Sequence, residues 1–146
     1  MKNKVAALLC AFSITASSLA FAAGPYTPLP GNPERKAILD ALREVVKRMS
    51  GGEDMVFVVP YLKVDQGWAW IHTLPQSRDG RGHYEDVSGL FHKQQGKWKM
   101  ADVAASCEPG LNDTPDCSAK TFIKRLKSKY PSAPLSIFPD SMLHAQ

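Results

Sequence analysis

The sequence predicts an α+β fold: one long N-terminal helix packed on a four-stranded antiparallel sheet, a short C-terminal helix and one disulfide. Three observations predict it. A helix-start signal at Asn32 opens an apolar stripe of helical period. Four β-branched and aromatic runs follow in succession, parted by two tight polar turns and one long Gly-punctuated loop. A second amphipathic run then precedes a proline-rich tail, downstream of the last two cysteines.

The chain has 146 residues and opens MKNKVAALLCAFSITASSLAFAA. Lys2 and Lys4 form a positive n-region, Val5 to about Ala20 an apolar h-region, and Ala20-Phe21-Ala22 a small-x-small cleavage site. Residues 1–23 therefore read as a signal peptide and 24–146 as one small α+β domain, periplasmic or secreted. Cys10 would leave with the leader, and Leu9 before it argues against lipoprotein processing. Cys107 and Cys117 remain, and an oxidising compartment favours pairing them as a staple rather than as a Cys-x-x-Cys redox pair. Lys2 and Lys4 account for two of the 18 basic residues, so the remainder carries 16 against 14 acidic, a net of +2. That balance is no nucleic-acid footprint.

Gly24 to Gly31 (GPYTPLPG) is an extended lead-in, because three prolines forbid a helix. Asn32 as N-cap, Pro33 at the first helical position and Glu34 in the first turn then open the long helix. Ile38, Leu42, Val45, Val46 and Met49 form its stripe, and Ser50-Gly51-Gly52 ends it.

The first strand, Asp54 to Val64, is apolar on both faces through Val59, and Pro60 demands an edge position or a bulge. After the turn Asp65-Gln66-Gly67, the second strand puts Trp68, Trp70, His72 and Leu74 on one face and Ala69, Ile71 and Thr73 on the other. Pro75 to about Asp86 is a long polar loop, of a length often functional or mobile. Val87 to Lys93, the turn Gln94-Gln95-Gly96 and Lys97 to Val103 complete the sheet. The last helix, capped near Thr114 or Ser118, runs to Tyr130 with Ala119, Phe122, Ile123 and Leu126 inward. Leu135, Ile137 and Phe138 in the tail are expected against the core.

The hairpin Leu90-Phe91-His92-Lys93-Gln94-Gln95-Gly96-Lys97-Trp98-Lys99-Met100 is similar to the G-x-W-x-aliphatic hairpin of NTF2-like domains. One helix followed by an antiparallel meander resembles the cystatin/NTF2-like class of α+β rolls. Glu34 to Arg43, Val56 to Val59 and Gly67 to Trp70 also resemble a group of small secreted bacterial proteins of unknown function. The second resemblance implies fold and export, and no activity. NTF2-like enzymes place two or three helices over the sheet, where this chain has room for one before its strands.

Chemistry-bearing residues gather in the second strand, the loop and the third strand: His72, Asp79, Arg81, His83, Glu85, Asp86 and His92. His83-x-Glu85 matches part of the zinc deaminase pattern, but the Pro-Cys-x-x-Cys partner is missing. His72 and His83 with an acid have no specific ligand spacing, so no metal is expected. Ser88 or Ser77 beside a histidine lacks a Gly-x-Ser-x-Gly frame. No catalytic residue and no cofactor are expected.

Binding features are better represented. Trp68 and Trp70, with Trp98, form either a stacking platform or ordinary core. With His72 they would be rimmed by Arg78, Arg81, His83 and Glu85 of the loop, two arginines suiting carboxylate or phosphate. Lys120, Lys124, Arg125, Lys127 and Lys129 make a basic face with no acid among them, which is either a solvated face or a contact for an anionic partner. Three functional classes stay open. The first is a periplasmic, non-enzymatic binding protein for a probable envelope protein partner, of inhibitor, immunity or adaptor type. The second is an envelope-surface binder of anionic lipid or glycan through the basic helix. The third is a small NTF2-like enzyme with Asp102 or His72 as base. No nucleic-acid partner is expected.

Overall fold

The computed structural model describes residues 24–50, 54–103 and 119–144. The fold is α+β, a four-stranded antiparallel sheet with three helices. In order come α1 (Pro33–Met49), β1 (Val56–Asp65), β2 (Trp68–Gln76), β3 (Val87–Gln94), β4 (Lys97–Met100), α2 (Ala119–Lys129) and α3 (Asp140–Leu143). The sheet order is β1-β2-β3-β4, a simple meander with β1 and β4 at its edges.

α1 starts where its signals place it, with the Asn32 side chain accepting from the Glu34 amide at 2.8 Å. It does not stand at the N-terminus of the chain. The lead-in crosses to β1 first, and Tyr26 exchanges both backbone bonds with Val64, at 2.9 and 2.8 Å.

Both hairpin turns follow from local chemistry. Gln66-Gly67 and Gln95-Gly96 have positive φ at both central residues, the type I′ geometry that matches the twist of paired strands.

Pro60 acts as expected. The β1–β2 register runs Val58↔Leu74 and then Tyr61↔His72, so Val59 and Pro60 together oppose Thr73 in a bulge. The extra residue reverses parity. Phe57 and Val59 before the bulge, and Leu62 and Val64 after it, all reach the cluster beneath α1. A run that is apolar on both faces in sequence thus delivers its larger share to one core.

The expectation that β2 stops at Leu74 is corrected: it continues through Pro75 to Gln76. Pro75 pairs with Phe57, and having no N–H it can occupy only a non-hydrogen-bonded position. β4 is shorter than expected, because after Met100 the Val103 amide turns back to the Ala101 carbonyl at 2.9 Å.

Two cores flank the sheet. Ile38, Leu42 and Val46 of α1 meet Leu62, Val64, Ala69, Ile71, Phe91 and Trp98 on one face. Trp68, Trp70 and Leu90 meet Leu126, Ala133, Ile137 and Phe138 on the other. The single short C-terminal helix is also corrected. The C-terminal segment comprises α2, a 3₁₀ turn at Leu135–Ile137 and the four-residue α3. Pro131, Pro134 and Pro139 forbid one continuous helix there. Tyr61 Oη donates to the Ile137 carbonyl at 3.1 Å, and Ser136 Oγ to the buried Asp65 at 2.6 Å, fastening this segment across β1. Cys107 and Cys117 lie outside the described residues.

Candidate functional site

The register assigns one row of side chains to each rung of the second sheet face. Asp65, Trp68 and His92 share the first rung, Lys63, Trp70 and Leu90 the next, then Tyr61, His72 and Ser88, then Val58 and Leu74, then Val56 and Gln76. The C-terminal segment covers the first two rungs. Trp68 is 3% exposed, stacked on His92 with ring centroids 4.0 Å apart and edge-on to Tyr130. Trp70 is 5% exposed between Phe122 and Phe138. Trp98 lies in the opposite core. Of the two readings of the tryptophans, ordinary core is the one the structure shows: Trp68 and Trp70 are buried beneath the C-terminal segment.

Beyond the covered rungs the face is open. Val56 (39% exposed), Val58 (43%) and Leu74 (37%) are large apolar side chains left at the surface. Tyr84, also partly exposed, is tied to Pro75 by its amide at 3.0 Å. Val56 and Val58 do not stand out in the sequence as surface residues, since nothing local says where a covering segment stops.

The 77–86 loop that rims this patch has its own internal structure. The Ser77 amide donates to the Gly82 carbonyl at 2.9 Å, the Gly82 amide to Ser77 Oγ at 2.8 Å, and Ser77 Oγ to Asp79 at 2.5 Å. The Ser77 hydroxyl foremost, then the Arg81 amide, holds the Asp79 carboxyl below its ordinary range. Arg78 Nε binds Asp54 at 2.9 Å and ties the loop to the approach to β1. Arg81 is largely exposed and forms a loose ion pair with Asp79 at 3.9 Å, His83 pairs with Gln76 through a backbone bridge, and Glu85 is exposed. The structure thus brings His72, Arg78 and His83 to one end of the sheet, while Trp68 and Trp70 face the covered half.

His72 and Ser88 are direct cross-strand partners, with Nδ1 2.9 Å from Oγ, and Asp86 lies 3.7 Å from Nε2. This order differs from a working triad. The carboxylate is beyond hydrogen-bond distance, and the serine sits in an open strand rather than on the tight turn that aims a nucleophile. The group is a polar border of the patch. Asp102, the other residue considered as a base, meets Lys129 at 2.9 Å at the surface.

The basic face is partly engaged. Lys127 Nζ donates to the Pro131 and Ala133 carbonyls, both at 2.6 Å, closing the C-terminal end of α2. The Asp102 hydrogen bond first, then its charge, pushes the Lys129 ammonium up. Lys120, Lys124 and Arg125 are exposed.

A second cluster escaped the sequence argument. Glu34 accepts from Tyr26 Oη and from Lys93 Nζ (2.9 Å), joining the lead-in, α1 and the β3–β4 hairpin. Burial acts to raise the Glu34 carboxyl, but the Tyr26 and Lys93 hydrogen bonds and the Lys93 charge outweigh it and hold the group low. The Trp98 indole N–H adds to this at a geometry short of a full hydrogen bond. Desolvation first, then Glu34, pushes the Tyr26 phenol up to about 12.

Two clefts of about 360 and 370 Å³ flank α1, one against the start of β1 and one against the β3–β4 turn. Neither is lined by His72 or Asp102. Among the described residues no three His, Cys, Asp or Glu side chains are placed to hold a metal, and no helix is long and apolar enough to cross a membrane. The chain matches no family model, no curated protein and no solved structure.

Proposed function

We propose that this chain is an exported, non-enzymatic binding protein that engages a protein partner of the cell envelope through the open half of its sheet. The observation that carries the reading is the gathering of Val56, Val58 and Leu74 at the one end of the face that the C-terminal segment leaves bare. Exposed apolar side chains clustered inside a polar rim are the usual anatomy of a protein-binding patch. His72, Ser88, Arg78, Arg81, His83 and Glu85 supply that rim. The leader-like first 23 residues support export, and export in turn supports a Cys107–Cys117 disulfide in the stretch between β4 and α2. A cystatin/NTF2-like roll is the family reading proposed alongside it, resting on the hairpin and helix residues quoted above.

A test is affinity capture from envelope extract with wild-type protein and with Leu74→Asp. Leu74 is surface-exposed, so the variant should fold and lose at least tenfold in partner recovery, whereas Lys120→Glu should leave recovery unchanged. Equal recovery by wild type and Leu74→Asp would refute this surface. The envelope-surface alternative has one observation in its favour, since α2 carries five basic residues and no acid. In that case recovery of anionic vesicles would fall with Lys120→Glu and with added salt.

A further inference from the structure

We infer that the outer edge of β1, residues 55–59, joins the same edge of a second copy of this chain, antiparallel and across a two-fold axis at Phe57. This does not rest on the proposed partner. The edge is the backbone of residues whose Val56 and Val58 side chains also line the patch, so the two surfaces adjoin, and the Phe57 amide reads the edge alone.

The hydrogen bonding of the ladder shows which groups are free. Because Pro75 has no N–H, the Phe57–Pro75 pair is non-hydrogen-bonded, and Phe57 turns its own amide and carbonyl away from β2. Val56 and Val58, one residue to either side, therefore bond Gln76 and Leu74, so Met55 and Val59 share the outward direction of Phe57. Among the described residues no backbone group bonds to these outward positions.

Most of the two edge strands is protected, whereas among the described residues nothing protects this stretch. Farther along β1, Tyr26 occupies the edge at Val64 from both sides of the residue. Pro60 and its bulge interrupt the middle. The opposite edge, β4, has only four residues and exposes Lys97 and Lys99. Short strands, lysines, prolines and bulges are the devices that keep edges from pairing. Residues 55–58 carry none of them, and the bulge begins only at Val59.

The exposed stretch is also complementary to itself. Met55-Val56-Phe57-Val58-Val59 is apolar at every position about Phe57. An antiparallel copy would place Phe57 opposite Phe57, Val56 opposite Val58, and Met55 opposite Val59, so both faces of the joined sheet match. Charge agrees with this. On the α1 side the charged residues lining the cleft beside the edge are Arg43, Glu44, Lys47 and Asp54; Arg43 and Asp54 are paired with Asp40 and Arg78, while Glu44 and Lys47 are exposed and have no ion pair among the described residues. In the proposed dimer the unpaired acid and base of one copy are available to the base and acid of the other. The result is an eight-stranded sheet with the two open patches side by side on one face.

The test is sedimentation velocity on the purified product of the full-length gene at about 100 μM, where a micromolar dimer is almost wholly formed, together with amide hydrogen exchange. A dimer is expected, and the Phe57 amide should slow on raising the concentration while that of Val58, already bonded within the chain, does not change. Val58→Lys should weaken dimerisation at least tenfold. So should Glu44→Lys, and adding Lys47→Glu to it should restore the dimer, which a nonspecific loss would not allow. A monomer at that concentration overturns the inference. A dimer with a Phe57 amide that still exchanges fast overturns it too, because the copies would then meet elsewhere. Slowing of Phe57 only on addition of an extended foreign peptide would assign the edge to another chain and also overturn it.

Discussion

At the scale of single residues, Glu34 has the widest reach. It stands in the first turn of α1, where the helix dipole favours an acid, and its two hydrogen bonds hold the lead-in and the β3–β4 hairpin to that turn. Its lowered pKa means that the folded state prefers the carboxylate. The associated stability is present above the unfolded carboxyl's pKa and is lost as pH falls through the lower folded value. Tyr26 has the opposite sign. Its folded pKa is raised from 10.0 to about 12, so its contribution is complete below 10 and lost as pH rises toward 12. The Tyr26–Val64 pairing should therefore loosen at both extremes before the sheet does. Amide exchange of Tyr26 and Val64 across pH checks it, and protection that tracks global unfolding at both ends would contradict it. The sequence displays Glu34 only as a capping-turn acid. Its partners lie 8 and 59 residues away, and no local pattern joins them.

At the scale of elements, what was legible depended on whether the cause was local. The α1 boundaries, the places of both tight turns and the irregularity at Pro60 are written in contiguous residues, and the structure has them where the sequence puts them. The end of β2 was not legible, because Pro75 is tolerated only by virtue of the rung it shares with Phe57. Nor could the tryptophans be allotted, since alternation puts Trp68 and Trp70 on one face without saying what covers it. The C-terminal segment is what covers it, and Trp70 is its central anchor. Trp70→Ala should cost about 3–5 kcal/mol and undock that segment first. Tail amides such as that of Phe138 should lose protection while Ile71 beneath α1 keeps it. A uniform loss across both faces would show that the two cores do not unfold separately.

At the scale of the whole molecule, the sheet is a partition with unequal coverings. α1 and its cluster cover one face, while among the described residues the C-terminal segment covers the rungs of Trp68 and Trp70 on the other and reaches Tyr61 on the next. The candidate site is what that inequality leaves over. The polar loop that borders it was readable in advance, because Arg78, Arg81, His83 and Glu85 fit no strand pattern, but the sequence suggested it as a border for the tryptophans rather than for this patch. Its floor was not, because Val56 and Val58 look like core until the extent of the tail is known.

The bulge at Val59–Pro60 also sets a length. It adds one residue to β1 without moving any rung, so deleting Pro60 would leave Val58↔Leu74 and Tyr61↔His72 as they are and seat Val59 opposite Thr73. The native contacts would survive, but the outward groups of residues 55, 57 and 59 would run on unbroken toward Leu62. A straight, uncharged edge of that length is a template for open-ended cross-β growth. The Pro60 deletion should keep its fold yet form thioflavin-positive fibrils on heating well before the parent chain. If the deleted chain stays soluble for as long as the parent, Pro60 is not the stop. Otherwise, one proline separates a surface that can add a single strand from one that would keep adding them.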